Sequence, residues 1–378
     1  MRNERAVPII ESLLDYHDKK QPWRGEPTTT AASRYTSQAH LDRERTELFA
    51  GRPLAVALSP DLPAPGTRLV RDKYDVPLLL TRDTVGAVHA FANVCQHRGA
   101  QVLEGCHSKG RRMSCPYHGW TYDVDGTLVS IPDRESFPAD VPTGLRSLPV
   151  VESDGVIWVE FDLKGGPSLE APELGAIADD FATFDISGHR HWRAHRFDLE
   201  LNWKLVIDTF LEPYHFASLH KNTVGPIFMP NLGFAEREGL HLCEVLPRRS
   251  LADLKEQPKD EWDVVPHSAM VYVLFPSTVF VMQIDHLETW RVLPYPDDPS
   301  RSICDLDFYV PDVAPTDSSE RHWENNWKLT IDTVINEDFH AMAGLQRGLE
   351  SGALDELLLG ANEPALSLFH RSLEEALR

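Results

Sequence analysis

CQHRG, residues 95–99, and CPYHGW, residues 115–120, place two cysteines and two histidines in the order C-x-H, then C-x2-H. Each tight loop carries one thiol and one imidazole, so two such loops facing each other can clasp a small inorganic core from opposite sides. Two readings fit that donor set. One is a structural zinc ion, which takes four Cys and His ligands in a tetrahedron. The other is a [2Fe–2S] cluster, with the thiolates of Cys95 and Cys115 on one iron and the imidazoles of His97 and His118 on the other. Gly99 and Gly119 let the backbone turn closely around the sulfurs of a cluster.

Around these loops the chain reads as short strands. RLVRDKY, VPLLLTR, AVHAFANV, TYDVDGTLVSI and GVIWVEFDL alternate with Gly, Pro and Asp turns, the pattern of a small antiparallel β domain. Its predicted span is 50–162. GGPSLEAPELG, around 165–175, reads as a linker. Residues 1–49 are predicted to form a helical segment packing on the second domain. Within them Ser37 is a candidate cap for AHLDRERTELFA, whose charges read as a solvated face. The second domain, 163–378, sets a helix before the strands HLCEVLP, MVYVLF, TVFVMQI, LETWRVLPY and ICDLDFYV, then adds a second helix and an apolar helical tail. That order predicts an α+β domain with a large antiparallel sheet.

Bulk properties narrow the function. Of 378 residues, 42% are hydrophobic and 25% charged, ordinary for a soluble globular protein. A net charge of −21 argues against nucleic acid, which needs a basic face, and against anionic membranes. The longest apolar run, VYVLFPSTVFVMQI, contains Pro276 and is too short to span a bilayer. The N-terminus has no apolar signal core, so a cytoplasmic location is predicted. Five scattered cysteines do not make a secreted disulfide framework. Cys243 and Cys304 sit in strand-like apolar runs and read as buried thiols. Lys109, Arg111 and Arg112 form a basic spot between the two Cys/His loops. On an acidic chain it could steer an acidic electron carrier; the plainer reading is a solvated loop.

A second constellation lies in a phrase written twice. NWKLVIDTFLEPYH, residues 202–215, returns as NWKLTIDTVINEDFH, residues 326–340. From Asn202, a candidate N-cap, Trp203, Val206, Ile207, Phe210 and Leu211 fall at helical spacing. On a straight helix Asp208, Glu212 and His215 share another face. His220 would then lie about 140° round from His215. Pro213 predicts a kink or early end that could bring His220 back. Two imidazoles and one carboxylate make the facial triad of non-haem Fe(II) sites. The residues alone leave the carboxylate open among Glu212, Asp332, Glu337 and Asp338. The shared Trp and Leu predict two helices lining one core.

The two Cys/His loops followed by a paired-histidine helix resemble the terminal oxygenase (alpha) component of the Rieske non-haem iron oxygenases, over about residues 35–350. The resemblance implies an antiparallel β Rieske [2Fe–2S] domain ahead of a helix-grip type α+β catalytic domain. It implies a cluster on Cys95, His97, Cys115 and His118, and a mononuclear Fe(II) on His215, His220 and Asp338. Glu212 would bridge to a cluster histidine, with Asp208, one turn earlier, beside it in the catalytic machinery. Ala100 and Tyr117 stand where respiratory Rieske proteins carry a disulfide, and Trp120 where they carry a serine. Fewer hydrogen bonds to the sulfurs imply a lower potential. Glutamate at position 212, and the chain length, resemble the alpha-only carnitine and glycine betaine-type monooxygenases.

The activity so implied uses O2 and NAD(P)H-derived electrons from a partner reductase, with or without a ferredoxin. It hydroxylates or oxidatively dealkylates a small aromatic compound or a quaternary or tertiary amine, as a monooxygenase or a dioxygenase. The implied assembly is a homotrimer in which His118 of one subunit meets Glu212 of the next. The substrate pocket is expected between the first helix and the 270–310 sheet, with Phe210, Phe216, Phe228, Met229, Met282 and His286 as candidates. Two alternatives remain at this point: a Rieske-type electron-transfer or redox-sensing protein without a second iron, and a zinc-stapled ligand-binding module.

Overall fold

The short strands around the two Cys/His loops pair into three small antiparallel sheets. The structure is a computed structural model and describes residues 1–105, 107–164 and 168–378; residues 165–167, at the start of the expected linker, lie outside these. The chain forms two units, Phe49–Pro172 and Met1–Leu48 with Glu173–Arg378. In the first, a five-stranded sheet runs in the order Ser147–Leu148, Val88–Ala92, Leu78–Arg82, Thr67–Arg71 and His107–Lys109. A three-stranded sheet, Arg112–Ser114, Thr121–Asp123 and Leu128–Ser130, carries the second Cys/His loop between its first two strands. Leu54–Leu58 pairs with Val156–Val159 in the third. Val70, Leu79, Phe91, Met113, Trp120 and Tyr122 close a core around the Cys95 and Cys115 thiols. An apolar wall at the thiols excludes water from whatever they hold.

The second unit is built on a seven-stranded antiparallel sheet. Its order is His189–Leu199, Asp298–Pro311, Leu287–Tyr295, Thr278–Met282, Ser268–Leu274, His241–Pro247 and Phe234–Glu238. Ser268–Leu274 and His241–Pro247 are buried at every position. Both faces of those strands are covered, which is why they read as continuous apolar runs rather than alternating ones. Cys243 and Cys304 are fully buried within the sheet. The edge strand His189–Leu199, HRHWRAHRFDL, is mostly polar and half-buried or exposed; it lacks the apolar pattern that announces a strand. The helix Asn3–Asp18 buries one stripe, Ala6, Ile9, Ile10, Leu13 and Leu14. Thr28–Ala31 pairs with Glu356–Leu359.

Ser37 caps the helix Gln38–Glu44, accepting from the His40 amide at 3.3 Å. Its charged face is not wholly solvated, contrary to expectation. The buried Glu44 carboxylate accepts from Lys204 Nζ at 2.6 Å and Trp203 Nε1 at 2.8 Å. The first NWKL helix is short, Trp203–Asp208, with the Asn202 side chain accepting from the Lys204 amide at 3.0 Å. The second, Asp317–Thr330, runs on as a π-helix over Ile331–Phe339 and an α-helix over His340–Glu350. The expectation that both copies line one core is corrected. Trp203–Ile207 are all buried, whereas Trp327 and Leu329 are half-buried and Lys328 is exposed.

Candidate metal centres and substrate cavity

The two Cys/His loops are geometric twins. Cys95 N–H donates to Ala100 O at 2.8 Å and Gly99 N–H to Cys95 O at 2.9 Å; Cys115 N–H donates to Trp120 O at 2.8 Å and Gly119 N–H to Cys115 O at 3.0 Å. Both turns close on a glycine at positive φ, +81° at Gly99 and +73° at Gly119, where a Cβ is disfavoured. The result sets thiol near thiol, both buried in one core cluster and close enough to interact, and imidazole beside imidazole. The His97 and His118 ring centroids are 4.6 Å apart, and His97 lies flat on Trp120 at 5.0 Å. Burial pushes the Cys95 thiol up, so it needs a metal to hold it as thiolate. His97 Nδ1 is buried without a hydrogen-bond partner. Paired thiols on one side, paired imidazoles on the other and an orphaned ring nitrogen fit a [2Fe–2S] group. Tyr122, which sequence reasoning missed, brings its hydroxyl to 3.3 Å from Cys95 Sγ while accepting from the Gln96 amide at 3.1 Å.

The second centre forms where the first NWKL helix fails. After Asp208 the chain tightens to a 3₁₀ turn over Thr209–Leu211, Glu212 goes extended, and Pro213 starts a new 3₁₀ turn, Tyr214–Ala217. The Glu212 carboxylate caps that turn, accepting from the His215 amide at 3.0 Å. His215, His220 and Asp338 then bring one ligand atom each within 4.8 Å of one another. The two Nε2 atoms are 2.9 Å apart, and Asp338 Oδ1 lies 3.3 Å from the first and 3.0 Å from the second. Each histidine is held from behind. His215 Nδ1 contacts Glu212 Oε1, and His220 Nδ1 lies 2.6 Å from Glu337 Oε2, which also accepts from Thr223 Oγ1 at 2.6 Å.

With each Nδ1–H given to a carboxylate, each Nε2 presents a lone pair. Three acceptors therefore converge, and Asp338 Oδ1 is buried with no hydrogen bond. Two imidazoles and a carboxylate converging in this way fit a divalent metal of the Fe(II) type. Burial pulls His215 down, but the facing carboxylates of Asp338 and Glu212 outweigh it and lift it to about 9; the carboxylates favour positive charge at this point, whether a proton or a metal ion. Burial would raise Asp338, yet the two imidazoles hold it below the usual carboxylate range. Of the acids left open, Asp338 faces the convergence point, Glu337 sits on the outer nitrogen of His220, and Asp332 accepts from Asn336 Nδ2 at 3.2 Å.

Asp208 goes elsewhere. Its carboxylate accepts from Tyr35 Oη at 2.8 Å and lies 3.1 Å from His370 Nε2. The helix that would have kept it in line with Glu212 and His215 has already ended, so it anchors the turn and does not reach the cavity wall.

A cavity of about 200 Å³ opens at the triad. Phe210, Phe216, Phe228 and His286 line it, together with Leu246, Arg248, Ala269, Val271, Val281, Gln283 and Glu288 from the sheet and Asn326–Asp338 side chains from the second NWKL segment. Strand alternation decides the sheet residues. Val281 and Gln283 face the cavity, so Met282 between them faces away. Met282 and Met229 are buried outside the wall, a correction to the expected pocket.

Comparison with known proteins supplies the family. Residues 52–149 match the Rieske [2Fe-2S] domain, and residues 186–378 match the ring hydroxylating alpha subunit (catalytic domain). The glycine betaine monooxygenase oxygenase subunit of Chromohalobacter salexigens is 29% identical over 57% of this chain and 46% of its own length. This chain thus spans about half of that relative. The chloroplastic choline monooxygenase of Spinacia oleracea is 27% identical over 91% of this chain and 76% of that protein. The quaternary ammonium Rieske monooxygenase CntA, solved with L-carnitine, superposes with a TM-score of 0.78 at 18% identity, covering 93% of this chain and 96% of that one; at that identity the likeness is one of fold. The chain belongs to the ring hydroxylating alpha subunits, with a Rieske domain ahead of the catalytic domain.

Proposed function

We propose that this protein is the terminal oxygenase of a multicomponent system that hydroxylates or oxidatively dealkylates a small organic molecule. Electrons would come from NAD(P)H through a partner reductase, and O2 would be the co-substrate. The observation that carries the proposal is the convergence of His215, His220 and Asp338 at the end of an aromatic cavity, with each imidazole backed by a glutamate. Cys95, His97, Cys115 and His118 would hold the cluster; His215, His220 and Asp338 would hold the iron. When bound, these groups supply one-electron transfer and O2 activation.

The chain's own residues do the rest. Glu212 fixes His215 Nδ1 and caps its turn, and in a trimer it would offer its remaining acceptor capacity to His118 of a neighbouring subunit. Glu337 and Thr223 fix His220. Phe210, Phe216 and Phe228 exclude water and offer ring faces to a cationic amine or a flat arene. The relatives named for glycine betaine and choline favour a quaternary or tertiary amine. A homotrimer in the cytoplasm fits the family reading.

The test is a single turnover. The iron-loaded protein is reduced chemically, exposed to O2 with a panel of amines and arenes, and the products are weighed. Addition of oxygen or loss of a methyl group is expected. A protein that binds cluster iron but no further iron would instead be the electron carrier.

A further inference from the structure

The cavity carries a positive charge, Arg248, that meets no carboxylate among the described residues. Arg248 follows the strand His241–Pro247 and shares its inward face with Leu246. Its Nε donates to Ser268 O at 3.3 Å, and one terminal nitrogen donates to Gln283 Oε1 at 2.6 Å. Its guanidinium lies 5.3 Å from the centre of the Phe228 ring. Among the described residues no carboxylate pairs with it. The acid on the same wall, Glu288, is engaged otherwise: it accepts from Thr330 Oγ1 at 2.8 Å and Trp290 Nε1 at 3.0 Å, and lies 3.5 Å from His286 Nε2. Burial lowers the pKa of Arg248, a sign that its charge is poorly solvated there. A half-buried guanidinium with no carboxylate beside it is costly, and a site that keeps one has a use for it.

Gln283 shows the direction of that use. Its carbonyl oxygen faces Arg248, so its amide N–H groups point away as further donors. The remaining guanidinium N–H groups and the Gln283 amide together make a fork of donors for which the described residues supply no acceptor. That is the geometry that takes a planar anion on two hydrogen bonds. Between this fork and the metal ligands stand two phenyl rings in sequence. Phe228 packs on Phe216 with centroids 5.6 Å apart, and Phe216 packs on His215 at 5.1 Å and His220 at 5.5 Å.

We infer that the substrate of this cavity carries a carboxylate, held by Arg248 and Gln283, with its oxidised carbon placed across Phe228 and Phe216 at the His215–His220–Asp338 site. The inference rests on the oxygenase reading and sharpens it. Within the amines, it selects betaine-like zwitterions over amino alcohols; within arenes, it selects aryl carboxylates over hydrocarbons. Arg248 sets specificity and takes no part in the oxidation.

The probes are two matched pairs, glycine betaine with choline and benzoate with benzyl alcohol. Members of each pair differ chiefly in the carboxylate. Binding to the iron-loaded protein is followed by calorimetry and by perturbation of the ferrous-site spectrum. Charge-assisted hydrogen bonds predict a carboxylate preference of about 10–100-fold in at least one pair. Arg248→Met abolishes the preference, and Arg248→Lys, which keeps the charge but not the fork, retains part of it. Equal binding within both pairs, no carboxylate binding up to millimolar concentration, or a preference that survives in Arg248→Met overturns the inference. The wild-type comparison needs no variant to fold. Iron content measured on the same samples separates the two failures. Loss of the second iron sinks the oxygenase reading, whereas a full iron complement with no carboxylate preference sinks only the role of Arg248.

Discussion

The two NWKL segments share their opening residues and end in opposite surroundings. In the first, Trp203, Lys204, Leu205, Val206 and Ile207 are at most 1% exposed. The helix is buried on every side, and its lysine survives there because Glu44 meets it at 2.6 Å. In the second, the corresponding Lys328 is in solvent, and the helix meets the sheet along one side only, through Trp323 and Trp327 on Phe308 and through polar ties. The ends differ as well. Pro213 breaks the first into 3₁₀ turns that fold two histidines onto one point, while the second continues through a π-helical stretch, Ile331–Phe339. Counted from its asparagine, Glu337 falls one residue later than Glu212. The wider π turn takes up that residue and still delivers a glutamate to the back of a histidine. Identical letters therefore fix neither burial nor helix type; the next ten residues and the partners do.

The comparison breaks most visibly at the lysines. Lys204→Met strands the Glu44 carboxylate in the interior, and removing one member of a buried pair costs about 3–5 kcal/mol. The drop is read as a shift in the urea midpoint of the holoprotein. Adding Glu44→Gln to that variant is expected to restore part of the loss, since the stranded charge is the cause. A near-neutral Lys204→Met would mean that the pair contributes little.

The glutamates come next. Glu337→Ala removes the acceptor behind His220 Nδ1 and is expected to weaken retention of the mononuclear iron about 10–100-fold, with cluster iron unchanged. Glu212→Gln keeps a hydrogen-bond acceptor at His215 and is expected to retain both metals while losing most turnover. If Glu337→Ala loses turnover with full iron content, the two glutamates have exchanged the assigned roles.

These outcomes also measure what the sequence could say. The Cys/His loops were legible because ligand spacing along a tight turn is itself the geometry. The apolar strands were legible because both of their faces are covered. His220 was legible only as a consequence of Pro213, since helical periodicity alone turns it away from His215. Glu337 and Asp338 are adjacent acids that the residues alone do not separate; the family resemblance picks Asp338, and in the π-helix it is Asp338 that faces the two imidazoles. Asp208 misled because a straight helix was assumed past the point where it ends. Arg248 and Gln283 lie 35 residues apart, each just past the end of a strand, and only the folded sheet makes them neighbours. The strand His189–Leu199 was invisible because an edge strand need not be apolar.

A smaller effect is expected at the tie that holds the second helix. Asp285 accepts from Trp323 Nε1 at 3.3 Å and lies 3.1 Å from His322 Nε2 and 3.3 Å from His286 Nδ1. Burial would raise its pKa, but hydrogen bonds to His286 and His322 outweigh this and bring it to about 2. A depressed carboxylate stabilises the fold above its unfolded value, near 4, and that contribution is lost as pH falls toward 2. The side chain is half-exposed, so solvent screening cuts the contribution to about 1 kcal/mol. Asp285→Asn is expected to lose that amount at neutral pH and to flatten the acid limb of the stability curve. An unchanged acid limb would place the ion pairs in the screened, ineffective class.

The least effect belongs to Lys328→Ala. The side chain is exposed in the last turn of Asp317–Thr330, a position where a cation ordinarily complements the carbonyl end of a helix. Here the backbone runs on into the π-helix, so those carbonyls are not a free terminus and the charge has little to complement. The change in stability should stay within about 0.5 kcal/mol. A cost approaching that of Lys204→Met would contradict the exposure of this face in the single chain and point to a second copy covering it. In that case the midpoint would depend on protein concentration, because stability borrowed from assembly follows mass action. Measuring Lys328→Ala at two concentrations therefore tests whether the contrast between the segments belongs to the fold or disappears in the oligomer.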